Sequence, residues 1–417
     1  MGLGEAGIPR SKIRCAVLYS VFVIYTQYIQ YVGISIPHMV TILGALLVMY
    51  YVAQCMYNGK IESTSREHSI LLCFFVVTFA TGMIGAVSFS AHLSVWVMAF
   101  NYFLVTSCTM YIMDDEYSIA TFVKLYGVFT IVIAVTLIVH PVATTDTTRL
   151  DSIRYSISAG LNANILGMIL ALGCWCILLL YSIRPEYGIL AIIGVPVLVS
   201  ASILTASRKS LISILMIVGI WLVWIVLPEK GNGVLRKLIL ICLIVVGVWY
   251  LYKNYYLDST MSIRMEDMFN GNDESNQVRK KLYSRAFDLF SQNPLVGWGY
   301  GGYGIYYSNN SNSYSHATYA ELPACTGIVG CVIFGGLYVY SIIKVCYLLV
   351  ITRSIADLKR VRVILKMILI LWLFILFTSA VVIYFYELNC FITWGILFST
   401  IKYAENCINE FGLFGRG

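Results

Sequence analysis

The residues best suited to polar chemistry lie between Arg279 and Gly330. A basic amphipathic segment, RKKLYSRAFDLF (Arg279–Phe290), precedes a glycine-rich turn, NPLVGWGYGGY (Asn293–Tyr303). HATYAELPACTGIVG (His316–Gly330) follows and runs into an apolar stretch. Cations, bendable backbone and one imidazole at a membrane surface suit an anionic lipid head group and a proton transfer. His38, His68, His92 and His140 sit at ordinary helix ends, whereas His316 alone lies in a polar insert. An unperturbed imidazole accepts a proton near neutrality, which makes His316 the best single catalytic candidate; the alternative is a structural histidine.

A second basic element, TASRKSL (Thr205–Leu211), places Arg208 and Lys209 between two apolar runs with almost no loop. At that depth a guanidinium points into a polar cavity or anchors at head groups. Arginine grips phosphate through paired hydrogen bonds. Asp258, Asp267, Asp273, Glu321 and Glu387 are the carboxylates available to partner His316 or the arginines, and Glu321 is nearest to His316 in sequence.

The elements that position these groups are membrane helices. The chain has 417 residues, 59% hydrophobic and only 12% charged, too few charges to cover a soluble domain of this size. Continuous apolar runs of about 20 residues predict an all-α polytopic membrane protein rather than a barrel of alternating strands. About twelve transmembrane helices are expected, near 15–36, 38–56, 69–88, 91–112, 118–140, 163–183, 188–206, 210–227, 236–253, 321–347, 363–385 and 387–405. The first is too long and aromatic for a cleaved signal peptide. The organisation is residues 1–253 with nine helices, a large extracytoplasmic loop at 254–320 between helices 9 and 10, and residues 321–417 with three helices and a cytoplasmic C-terminus. Both termini are cytoplasmic in this reading, because 18 of the 28 Lys and Arg then fall on the inner side. Of the other ten, eight cluster from Arg208 to Arg285 on the outer face, either to meet an anion or as the solvated charge of an exported loop; Arg149 and Arg154 are the remaining two.

Within the loop, Leu282, Ala286, Leu289 and Phe290 form an apolar stripe, with Ser275 or Asn276 as a cap. This predicts a helix lying flat on the membrane, with Arg279 and Tyr283 four apart on a neighbouring face. Gly297, Gly299, Gly301, Gly302 and Gly304 allow close backbone approach to a ligand. The interleaved Trp298, Tyr300, Tyr303, Tyr306 and Tyr307 suit sugar rings or an interfacial belt. The 12 cysteines read as buried free thiols, and Cys174-Trp-Cys176 lacks the second ligand pair of a zinc site. No metal and no cofactor is expected.

The ordered set of motifs resembles the Wzy-type O-antigen polymerase and O-antigen ligase superfamily of bacterial membrane glycosyltransferases. TASRKSL is similar to its Ser-Arg-Gly/Lys motif, and RKKLYSRAF to its Arg-x-x-x-(Trp/Tyr) segment. NPLVGWGYGGY is similar to its Asn-Pro-Leu-x-Gly-x-Gly turn, and HATYAELPACTGIVG to His-Asn-x-Tyr-x-Glu followed by Gly-x-x-Gly. The match spans about Thr205–Gly330. Ala317 departs from the amide or hydroxyl residue that often follows the histidine, most of all in ligases, and Lys209 stands where a small residue is common.

The resemblance implies a GT-C-like enzyme in the bacterial cytoplasmic (inner) membrane, with its active site on the outer face. It would act on undecaprenyl-pyrophosphate-linked oligosaccharides as donor and acceptor, without metal or nucleotide sugar. His316, Arg279 and Arg208 are its implied catalytic residues; Arg285, Lys209, Arg264, Tyr283, Tyr319 and Gly299 are its expected pyrophosphate- or glycan-binding residues. The favoured activity is polymerisation of a surface polysaccharide (O-antigen, capsule or exopolysaccharide). The alternatives are O-antigen ligation to lipid A-core and, less favoured, a lipid-linked oligosaccharide flippase. Expected partners are membrane lipid and a chain-length regulator, with no nucleic acid.

Overall fold

In hydrocarbon every backbone N–H and C=O must be paired within the protein, so apolar runs of this length fold as helices. The computed structural model describes residues 10–32, 36–59, 64–145, 153–228, 253, 259–270, 274–310, 313–353 and 355–411. Eight helices come first: α1 (Arg10–Gln27), α2 (Met39–Tyr57), α3 (Arg66–Gly85), α4 (Phe89–Ile112), α5 (Glu116–Val139), α6 (Ala163–Ile183), α7 (Gly188–Leu204) and α8 (Arg208–Trp221). An antiparallel hairpin, β1 (Val142–Thr145) and β2 (Ile153–Ser156), links α5 to α6, pairing Val142 with Ser156. Then follow α9 (Thr260–Phe269), α10 (Glu274–Gln292), α11 (Gly302–Ser308), α12 (Thr318–Thr352), α13 (Lys359–Ser379) and α14 (Leu388–Glu410). Among the described residues nine helices are long and apolar enough to cross a membrane, namely α2–α8, α12 and α13. The chain is therefore an all-α polytopic membrane protein. The expected ninth helix, 236–253, and the carboxylates Asp258 and Asp273 lie outside the described residues.

Helix α6 is the hub, with 89% of its apolar window buried against 11% for α2. Small residues let it pack closely, as is usual between membrane helices. A side chain at Gly167 would lie 2.5 Å from Ser210 of α8, and one at Gly173 would lie 2.1 Å from Thr130 of α5. Peripheral helices leave large apolar residues such as Met49, Ile84 and Val350 exposed, as a lipid-facing surface requires.

One end of the bundle is laced by ion pairs. Lys12 meets Asp114, Arg184 lies 3.6 Å from Glu116, and Lys344 bridges Glu67 at 2.8 Å and Glu405 at 2.7 Å. The loop elements α9–α11 sit at the other end.

Three segments differ from the hydropathy reading. Helix α1 spans Arg10–Gln27 rather than 15–36, because Gln27 turns its amide to Asn389, 2.7 Å away, and the chain leaves the helix. Helix α13 ends at Ser379, not 385. The apolar residues Val382–Phe385 are buried in a non-helical connector, and hydropathy does not separate a buried loop from a helix. Helix α10 begins by Glu274, so Ser275 and Asn276 lie inside it. Its stripe of Ala286 and Leu289, flanked by Leu282, packs on Tyr303 of α11 and on Ala317, Ala320 and Ala324 of the α12 start. Protein, rather than lipid, covers that stripe.

The most consequential local feature is a break in α12 at Gly327, where φ is 62° and ψ is −166°. The carbonyls of Ala324 and Cys325 would ordinarily accept from the amides of Ile328 and Val329, four residues on. The Asn293–Gly299 turn inserts between them. Trp298 and Gly299 donate to Ala324 and Cys325, each at 2.9 Å, while Ile328 and Val329 donate to Pro294 at 2.8 Å and Leu295 at 3.4 Å. All four opened backbone groups are thereby satisfied, and an unpaired one would cost about 1–3 kcal/mol or more at this depth. The conformation at Gly327 is open essentially to glycine alone, and a Cβ there would lie 2.3 Å from the Leu295 carbonyl oxygen.

Replacing Gly327 with alanine should therefore cost about 2–4 kcal/mol, summing a backbone clash and φ strain. Gly335→Ala, where a Cβ meets nothing within 4 Å, should leave stability unchanged or slightly raised. Thermal unfolding of the two variants in detergent tests this; equal melting temperatures would refute the wedge.

Candidate active site

At the end of the bundle away from the ion pairs, four helices begin around one cavity. Asn162 and Asn164 come from the start of α6, Lys209 from the start of α8, His316 from just before α12, and Glu387 from the N-cap of α14. Arg279 projects into it from α10. Each helix N-terminus carries roughly +0.5 of an elementary charge. With the Lys209 and Arg279 side chains, the cavity is built to receive an anion.

His316 is held from its backbone. It has φ +66°, an uncommon conformation for a residue with a side chain. The preceding Ser315 amide donates to Glu321 Oε2 at 2.6 Å, and Tyr386 Oη donates to Glu321 Oε1 at 3.3 Å. The following Thr318 amide donates to the Val382 carbonyl at 2.9 Å, and Thr318 Oγ1 accepts from the Tyr384 amide at 2.9 Å. The buried connector after α13 thus pins the loop that carries the imidazole. Glu321 acts on that loop through Ser315 and Tyr386. The Tyr314 ring meets the imidazole edge to face, with centroids 4.3 Å apart.

The turn before α8 is held just as closely. Ala206 has φ +48°. Asn164 Oδ1 accepts from Ser207 Oγ at 3.1 Å and from Arg154 Nη2 at 2.8 Å, while Arg154 Nε donates to the Thr205 carbonyl at 3.3 Å. Lys209 Nζ reaches the Val381 carbonyl at 3.4 Å. On α10, Tyr283 Oη donates to the Ala380 carbonyl at 2.9 Å, one turn from Arg279. The four-residue spacing of Arg279 and Tyr283 therefore has a physical meaning: the tyrosine docks the helix on the connector while the arginine enters the cavity.

Electrostatics follow from this crowding. Burial among its neighbours, reinforced by the Arg279 and Lys209 charges, lowers the His316 pKa to about 4, although the residue keeps an exposed surface. The imidazole is therefore neutral at pH 7 and free to accept a proton. Burial raises the Glu387 carboxyl, against the lowering pull of Lys209. Burial, with Glu387 and Glu321 adding to it, pushes the Tyr314 phenol up to about 12.

The cavity thus gathers Lys209, Arg279 and His316. The other residues expected at the site lie outside its lining. Arg208 is buried and donates from Nη1 to the Arg264 carbonyl on α9 at 3.0 Å. Arg285 is exposed, with its guanidinium 5.3 Å from the Tyr307 ring centroid. Tyr319 Oη donates to the Leu376 carbonyl at 2.8 Å. The Gly299 amide is engaged by Cys325, and a Cβ there would lie 2.7 Å from Ala86. The close approach this glycine permits is to α12 and the end of α3, not to an open cavity. The aromatics serve likewise: Trp298 Nε1 donates to the Leu289 carbonyl at 2.8 Å and Tyr307 Oη to the Arg285 carbonyl at 3.0 Å, both on α10. Asn162, Asn164 and Asn389 are lining residues that sequence reasoning passed over; asparagines at the starts of apolar runs were the available signal. The described cysteines are all unpaired thiols.

Residues 193–335, about a third of the chain, match the family model Wzy_C, O-antigen ligase. That region runs from within α7 to within α12 and includes Lys209, Arg279, His316 and the Gly327 break. It agrees with the O-antigen polymerase and ligase superfamily that the motifs resemble, and points to a membrane glycosyltransferase-like enzyme of ligase or polymerase type. No curated protein matches the chain.

Removing one cation beside His316 should raise its pKa, since a like charge opposes protonation. Lys209→Ala is expected to move the imidazole titration upward from about 4, and Arg208→Ala to leave it in place. Histidine-selective isotope labelling and NMR titration in detergent distinguish the two; equal shifts would show that Arg208, too, faces the imidazole.

Proposed function

We propose that this protein polymerises a surface polysaccharide by transferring a glycan from undecaprenyl pyrophosphate to a lipid-linked repeat unit at the outer face of a bacterial cytoplasmic membrane. The observation that carries the reading is the convergence of Lys209, Arg279 and four helix N-termini on a cavity that also holds a neutral His316.

In this mechanism the donor pyrophosphate sits against Lys209 and Arg279. An acceptor sugar hydroxyl attacks the anomeric carbon and forms the new glycosidic C–O bond. The bond from that carbon to the pyrophosphate oxygen breaks, and its electron pair leaves with the pyrophosphate. The hydroxyl proton passes to the His316 imidazole. Single displacement inverts the anomeric configuration. Preorganised cations and helix N-termini stabilise the charge that grows on the leaving group, and pyrophosphate leaves readily, so no divalent ion is invoked. Arg208 supports this arrangement indirectly, through its bond to α9, and Lys209 takes the direct contact. The bound anion also offsets the charges that depress His316 and makes the imidazole a stronger base when substrate is present.

The ligase reading, with lipid A-core as acceptor, is favoured by the description of the matching family model. Against it stands Ala317 at the position after the histidine.

Purified protein given only synthetic undecaprenyl-pyrophosphate-linked repeat should build a ladder of longer lipid-linked glycans, insensitive to EDTA. His316→Ala and Arg279→Ala should each reduce the rate by about 10²–10⁴-fold at unchanged protein level. Transfer only after addition of lipid A-core would establish the ligase, and inertness in both settings would refute glycosyl transfer. The acid limb of kcat/KM, which reports the free enzyme, should fall near the low His316 pKa. The limb of kcat should lie at higher pH; coincident limbs would refute the effect of the bound anion on His316, and a kcat/KM limb unmoved from that of a Lys209→Ala enzyme would remove His316 from the proton transfer.

A further inference from the structure

A second chamber adjoins the cationic cavity, with empty space of about 1230 Å³, part of it open to solvent. The two share Ile165, Ile169, Tyr314, Glu387 and Asn389 as a common wall. Their chemistry differs. The first presents Lys209, Arg279 and His316, whereas the described lining of the second contains no Lys, Arg or His. Beside the apolar Val40, Met98, Leu161 and Leu388 and the shared Glu387, it presents amides and phenols: Gln27 at the end of α1, Gln30 and Tyr31 in the turn after it, Tyr102 of α4, and Tyr386 of the connector.

These groups are organised. Gln27 Nε2 donates to Asn389 Oδ1 at 2.7 Å, and its Oε1 accepts from Tyr126 Oη at 3.4 Å. Gln30 donates to the Thr26 carbonyl. Tyr386 is fixed through its hydroxyl to Glu321 and presents its ring edge-on to Tyr314, with centroids 6.5 Å apart. Tyr314 in turn abuts His316. One aromatic ring therefore separates the second chamber from the imidazole.

Amides hydrogen-bond hydroxyls, and aromatic faces cover the C–H faces of pyranose rings. A lining of both, without a cation, fits a neutral or weakly polar carbohydrate better than a phosphate. We propose that this chamber binds the terminal sugar of the acceptor glycan and delivers its hydroxyl past Tyr314 to His316. That direction of delivery rests on the glycosyl-transfer reading; the carbohydrate-binding property does not.

The test uses full-length protein in detergent and one probe, the single-repeat oligosaccharide released by mild acid from the lipid-linked pool of cells lacking this protein. Saturation-transfer NMR should show that the oligosaccharide binds wild type. Gln30→Ala and Tyr31→Ala should each bind it about tenfold more weakly, the effect of losing one good polar contact. Lys209→Ala should bind it as wild type does. Melting temperatures of all variants establish that they are folded. Inorganic pyrophosphate, titrated into the same samples, reads the cationic cavity: its binding should be lost in Lys209→Ala and kept in Gln30→Ala. Absence of oligosaccharide binding to wild type, equal binding by Gln30→Ala and Tyr31→Ala, or loss in Lys209→Ala would each overturn the assignment. Oligosaccharide binding without pyrophosphate binding would sink the glycosyl-transfer reading and leave the second chamber standing as a carbohydrate site.

Discussion

Opening a helix inside a membrane is costly unless its freed backbone groups find partners, and this constraint governs the active end of the molecule. At Gly327 the two halves of α12 part, and the Asn293–Gly299 turn supplies the missing donors and acceptors. Through that wedge the turn is tied to α12, and α10 is tied to both by its alanine-lined stripe and by the tyrosine and tryptophan hydrogen bonds to its carbonyls. The position of Arg279 on α10 depends on this arrangement. So does the N-terminal half of α12, which Glu321 and Thr318 connect to the His316 loop.

The site combines positive charge with an uncharged base. Two cations and four helix N-termini would repel a protonated imidazole, and His316 is neutral for that reason as well as through burial. In the proposed mechanism the groups that bind the anion would thus also hold the base ready, and the anion would restore its basicity on arrival. Glu387 lines the same cavity, where Lys209 draws its carboxyl back toward ionisation against the effect of burial. Positive φ at Ala206 and His316 puts strained backbone in the turn before α8 and in the loop before α12.

The acceptor chamber, if occupied as inferred, gives the end of α1 and the middle of α4 a part in specificity. These elements lie outside the region that matches the family model, residues 193–335. On the proposed function, such a division would let the cationic centre serve one leaving group while the second chamber, which carries no cation in its described lining, varies with the sugar it accepts.

Much of this was legible in the chain itself. Apolar run length located the described membrane helices, since hydrocarbon demands paired backbone over about 20 residues at a time. The spacing of Arg279 and Tyr283, and the isolation of His316 in a polar segment, singled out groups that the fold brings to or beside one cavity. Three things were decided only in three dimensions. Arg208 and Lys209 are adjacent in sequence, yet neighbouring helix positions point about 100° apart, so which one enters the cavity depends on where α9 packs. The glycines advertise close approach, but only the fold shows that the approach is to α12 and α3. Val382–Phe385 are as apolar as a helix and form a buried loop, because Thr318 binds the Val382 carbonyl and the Tyr384 amide from more than 60 residues away in the chain. Composition and local spacing settle which residues can be buried or charged; contacts between distant segments settle what each one faces.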